Sequence, residues 1–161
     1  MSIVHPTPIK NFLVFALKVV VAHTVTYTIA GILSATLNDY PSLFQEPIIN
    51  QFMRPYDSEI VMFAPLLQIF RGLVYAVFFY PFMGFFHGKK MGWLYMWSIF
   101  VMVGIIGTPA AAPGSLEGLI FTQLPLHFHF IGYPEILSQT LVFCVWVYYW
   151  DKKRNKKIKS D

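Results

Sequence analysis

Arg71 stands near the middle of an apolar run from Ile60 to Phe82, where hydrocarbon rather than water is the expected surrounding. A guanidinium at bilayer depth costs at least about 2.5–3.5 kcal/mol on insertion scales, so it requires an acid, polar neighbours or a ligand. Gln68, Gly72 and Tyr75 fall at helical spacing from it and form one polar stripe. Helical side chains lean toward the helix N-terminus, which directs Arg71 back toward the start of its run. Two more stripes have the same spacing: His23, Thr26, Tyr27, Gly31 and Ser34 in the first apolar run, and Glu135, Ser138 and Gln139 at the start of the last. Glu117 is a further acid between runs. Three aligned polar faces imply a pocket with His23 and Arg71 as its floor and Glu117, Glu135 and Gln139 as its rim. Such a pocket suits a polar or anionic group, with Arg71 as the cation and Gln68 and Tyr75 beside it. A central Arg–Glu pair can equally be a purely structural ion pair, and a histidine such as His23 can bond a backbone carbonyl across helices.

His127 and His129 invite a metal reading. Two histidines two residues apart share a face only in an extended chain, so a joint site requires a local strand and a third ligand such as Glu117 or Glu135. A haem requires one histidine from each of two facing helices, and His23 is the one histidine clearly inside a span. No cofactor is assigned on these grounds. The single cysteine, Cys144, excludes an intrachain disulfide and a Cys-based zinc site, and reads as a small buried or lipid-facing hydrophobe. Nucleotide-binding loops, a nucleophile elbow, HExxH and CxxC are absent from the sequence.

The elements that must position these residues are membrane helices. With 56% hydrophobic residues and a mean hydropathy of +0.54, a soluble domain of 161 residues would lack the polar surface to cover itself. Ten of the twelve Lys and Arg fall in three segments: Lys10 and Lys18, Lys89 and Lys90, and the tail from Lys152 to Lys159. Six of the eight acids fall in the two segments between. Because short basic loops stay cytoplasmic, the expectation is an all-α integral membrane protein of four spans with both termini inside, in a plasma (inner) membrane of bacterial or archaeal type. The spans fall at about 12–37, 60–82, 91–106 and 134–150, in a single domain over 1–161 with a basic cytoplasmic tail at 151–161. Lys18, near the inner end of the first span, implies tilt or snorkelling. Trp93, Tyr95 and Trp97, and Trp146, Tyr148, Tyr149 and Trp150, form two aromatic belts at the same inner face. Gly104 and Gly107 suit close helix contact.

Pro41, Pro47 and Pro55 mark residues 38–59 as an outer loop with room for a short helix near Glu46 to Met53. Between the third and fourth spans, Ser115 reads as the N-cap of a short apolar helix, Leu116 to Leu124, too short to cross a bilayer and therefore re-entrant or interfacial. The net charge of +4 is concentrated beside the last span, so Lys152, Lys153, Arg154, Lys156 and Lys157 are expected to meet anionic inner-leaflet lipid, not nucleic acid.

Three functions fit these features. The first is binding, and transport, of a polar or anionic small molecule or lipid head group in an outward-facing pocket around Arg71. The second is a membrane-embedded enzyme acting on a lipid or isoprenoid, with Glu117 or Glu135 as acid or base and His127 or His129 assisting. The third is a non-catalytic subunit or assembly factor of a membrane complex. Four helices are few for a transporter, which favours a homo-oligomer or a larger complex.

Overall fold

The computed structural model describes residues 8–160, with the side chains of 155–160 excepted. The described residues are mostly helical, with no strand among them. Helix α1 (Pro8–Leu37) is followed by three short helices, α2 (Tyr40–Leu43), α3 (Pro47–Phe52) and α4 (Glu59–Met62). Helix α5 (Ala64–Phe79) continues through a 3-10 turn at Tyr80–Phe82 into α6 (Met83–His87). Helix α7 (Gly92–Ile99) passes into a π-helix over Phe100–Ile106. After an irregular segment come α8 (Leu116–Phe121), α9 (Leu126–Ile131) and the long α10 (Tyr133–Ser160).

Three helical stretches are long and apolar enough to cross a membrane: Pro8–Leu37, Ala64–His87 and Leu126–Arg154. The expected third span falls short of that length. Its helix has eight α-helical residues and then seven in the π-helix. At about 1.5 Å per residue that is roughly 22 Å, against a hydrocarbon layer of about 30 Å. The surfaces of the long helices carry exposed leucine, isoleucine and phenylalanine, among them Leu17 at 64% and Phe70 at 68%, as lipid contact requires.

The core fills the half of the bundle nearer the α6–α7 turn, where Phe15, Val19, Ala76, Phe79, Met96, Phe143 and Val147 pack together. Helix α5 lies along α1, and there Gly72 is what permits the approach: a Cβ on it would stand 2.9 Å from the Cα of Val20. Close contact thus falls at Gly72. A Cβ on Gly104 would meet nothing within 4 Å, and one on Gly107 would meet its own chain at the Met102 carbonyl.

At the other end, residues 38–53 form a folded cap. Leu43 of α2 and Ile49 of α3 are buried against Leu124 and Phe128, with Tyr40, Phe44 and Met53 packed around them. Asp39 turns the chain from α1 into α2 in the left-handed region, φ 46°, which its short polar side chain tolerates.

Several of the residues expected at the inner face make specific contacts within the bundle. Lys18 is buried in it. It is 5% exposed, and its Nζ lies 3.0 Å from Asp151 Oδ1 and 3.3 Å from the Trp150 carbonyl. Its stem leans toward the helix N-terminus, the direction that brings it level with Asp151 on the antiparallel α10. Tyr148 belongs to the core, fully buried, with its hydroxyl donating to the Lys89 carbonyl at 2.9 Å. Trp97 is a strut whose indole N–H donates to the Leu137 carbonyl at 3.1 Å. The basic tail continues α10 without a break to Ser160, and its first turn folds against α1, where Arg154 donates to Asn11 Oδ1 at 2.7 Å. Lys152 bonds the Tyr148 hydroxyl at 2.7 Å. The side chains of Lys156 and Lys157 lie outside the described residues.

Candidate functional site: a polar cavity beside Arg71

The three polar stripes do meet, and they divide the work. His23, Gln68 and Gln139 form a strut across three helices. Gln68 donates its amide to the Ala64 carbonyl at 3.1 Å, which leaves its Oε1 to accept from His23 Nε2 at 3.1 Å. Gln139 donates to Thr26 Oγ1 at 3.1 Å and stands 3.5 Å from His23 Nδ1. Thr26 in turn donates to the Ala22 carbonyl at 2.8 Å. This chain of donors fits an imidazole with its proton on Nε2. His23 is 2% exposed, with the rings of Tyr75 and Phe143 set edge-on at 4.9 Å and 5.5 Å. It is a satisfied structural histidine at the back of the site.

Arg71, Tyr75 and Glu135 line a cavity of about 640 Å3 in front of that strut. The size lies within the range usual for small-molecule sites, about 300–1,000 Å3. His23, Tyr27 and Gln139 close it toward α1 and α10, and Phe100, Val103 and Gly104 of the π-helix form the opposite wall. Arg71 is exposed, and among the described residues no carboxylate oxygen lies within 4.0 Å of it and no hydrogen bond satisfies it. Glu135 shares the cavity without pairing with Arg71. Its Oε2 accepts from the Tyr40 hydroxyl at 2.5 Å, which ties α10 to the α2 cap. Burial, and then the hydrogen bond to Glu135, push the Tyr40 phenol above its ordinary range. A second cavity of about 460 Å3 lies along the α1–α10 seam, and Glu135 and Gln139 line both.

Glu117 does not line the Arg71 cavity. It sits in the first turn of α8, whose N-cap is Ser115 as its sequence implies. The Ser115 hydroxyl accepts from the Gly118 N–H at 2.8 Å and donates to the Ala112 carbonyl at 2.8 Å, fully buried. Gly114 beside it has φ +81°, and a Cβ there would meet the Tyr133 ring at 2.6 Å. The segment matters to the site because Thr108, Ala112 and Pro113 line the cavity. Ser115→Ala is expected to lower stability by about 1–2 kcal/mol, read from the melting temperature of the purified protein in detergent.

His127 and His129 fall on α9, so the helix separates them. His129 is 3% exposed and committed to the loop: its Nδ1 accepts from the Gly114 N–H at 3.2 Å. His127 stands outside, 3.5 Å from Glu46. Among the described residues no three histidines, cysteines or acids gather as a metal set.

Sequence reasoning missed Tyr40 and the π-helical wall. The Tyr40–Glu135 bond spans 95 residues and depends on the cap's tertiary fold, while Val103 and Gly104 carry no polar signal.

Comparison with family models, curated proteins and solved structures finds no match.

Proposed function

We propose that this protein crosses an inner membrane four times with both termini cytoplasmic, and binds a polar or anionic small molecule or lipid head group at Arg71. The observation that carries the reading is an arginine on a helix long and apolar enough to cross a membrane, lining a cavity, with no carboxylate within 4.0 Å among the described residues. A guanidinium so placed is stabilised by an anionic ligand through charge-assisted, bidentate hydrogen bonds. The His23–Gln68–Gln139 strut supports it by fixing the three helices that carry the wall. Four-fold crossing completes the third helix with the irregular residues that follow it, which is tolerated where such backbone lines a cavity, as Thr108, Ala112 and Pro113 do. An enzyme at this site would draw on Glu135 alone among the acids and histidines named for that role, since Glu117, His127 and His129 do not line the cavity.

Arg71→Gln is expected to weaken retention of the co-purifying ligand by roughly ten- to a hundred-fold, the value of one or two hydrogen bonds to a charged group. Native mass spectrometry of protein taken from its own membrane measures this. Equal retention in the variant would remove Arg71 from the site.

A further inference from the structure

We infer that the occupant of the Arg71 cavity is a membrane amphiphile with an anionic head, a phosphate or carboxylate, entering sideways from the bilayer between α5 and the π-helix. The inference rests on the reading of Arg71 as a ligand-binding cation and adds the ligand's class and its route.

The cavity has a weak side. Toward α1 and α10 it is shut by the hydrogen-bonded strut. Helix α5 lies along α1, and α7 lies along α10, while the ring contacts between α5 and the π-helix fall at its first residue, Phe100, which packs against Tyr75 and Phe79; beyond it the two diverge. Val74 and Phe78 border this gap on α5, and Val103 and Gly104 border it on the π-helix. All four line the cavity and all four are exposed, Val74 at 65%, Phe78 at 48% and Val103 at 64%. The bordering surface is exposed and apolar, as a lipid-facing surface would be, so a hydrated anion approaching by this route would have to shed its water in lipid. An amphiphile already lies there.

The spacing along α5 fits such a molecule. Ala64–His87 has 24 residues, about 36 Å of helix, and Arg71 lies about 10 Å from the Ala64 end with its stem leaning toward that end. Its guanidinium therefore approaches head-group level. Val74 and Phe78 follow on the same face, about 4.5 Å and 10 Å deeper, where a chain would run. The gap is open at Gly104, where a Cβ would meet nothing within 4 Å.

Gly104→Phe tests the arrangement because it puts bulk in the gap where the amphiphile's chain would lie, without a clash at its Cβ. The full-length protein in mild detergent is titrated with dioleoyl phosphatidate and oleate, with inorganic phosphate and acetate as their water-soluble counterparts, and with dioleoyl phosphatidylcholine. Native mass spectrometry counts adducts, and those absent from Arg71→Gln are assigned to the cavity, since acidic lipid also meets the basic tail. The expected result is an Arg71-dependent phosphatidate or oleate adduct, not formed by phosphatidylcholine, whose affinity falls about tenfold or more in Gly104→Phe at unchanged melting temperature. An adduct undiminished in Gly104→Phe overturns a chain lying in the gap, and the lateral route with it, and equal binding of phosphatidylcholine overturns the anionic head. Arg71-dependent binding of phosphate or acetate without the amphiphiles overturns this inference while the proposed function stands. No Arg71-dependent binding of any probe removes both.

Discussion

Replacement of Asp151 by alanine is expected to lower the stability of the folded protein by about 3–5 kcal/mol, because it leaves Lys18 buried without its carboxylate. Both residues are nearly inaccessible, 5% and 6% exposed, so water cannot take the place of the lost partner. The Trp150 carbonyl would remain as an acceptor for Lys18 Nζ, and it is neutral. His87, 3.8 Å from the other Asp151 oxygen, would lose a neighbour as well. The companion experiment replaces both members, Lys18→Met with Asp151→Leu. Removing both charges together removes the desolvation cost along with the attraction, so this double variant is expected to lie within about 1–2 kcal/mol of the parent. Denaturant unfolding in detergent separates the cases. A single variant as stable as the parent would mean that Lys18 finds water.

Gly92→Ala is expected to cost about 3 kcal/mol, at the upper end of what overpacking usually costs. A Cβ at Gly92 would fall 2.0 Å from the Phe86 carbonyl oxygen and 2.6 Å from the Tyr148 ring. The first of these is backbone in the preceding helix, so no rotamer change relieves it, and the α6–α7 turn must open. Opening the turn pulls the Lys89 carbonyl from the Tyr148 hydroxyl, so the turn's tie to α10 goes too. The same measurement on Gly104→Ala provides the contrast, since a Cβ there has open space. If the two alanine variants melt together, the turn is looser than the distances require.

The helical architecture and the three polar stripes were legible because both depend on local periodicity. Gln68, Arg71 and Tyr75 recur at three- and four-residue intervals, and any helix must place them on one face. Ser115 was legible as an N-cap for the same reason, since capping is decided within four residues. What failed to show was anything decided across the bundle. Lys18 counts as a basic inner residue in the charge pattern, yet its partner is Asp151, 133 positions away. Arg71 and Glu135 were expected to face each other and do share a cavity, but Tyr40 holds the carboxylate instead. The third apolar run was legible to its end, since the helix does close at Ile106; what did not show is the change of pitch at Phe100, in a helix shorter than the three long ones. The sequence leaves His127 and His129 open as a pair, because a two-residue spacing is joint only in a strand, and the helix that separates them appears only in the fold.

Cys144, fully enclosed between Phe143 and the aromatic core, gives the native chain a silent thiol background. It is the one cysteine in the sequence. Water-soluble maleimides have no native target in the folded protein, so any single cysteine placed at a loop or helix end becomes its only reporter. Sidedness of each connection can therefore be mapped by reagent access in intact cells, with no need to build a cysteine-free parent first.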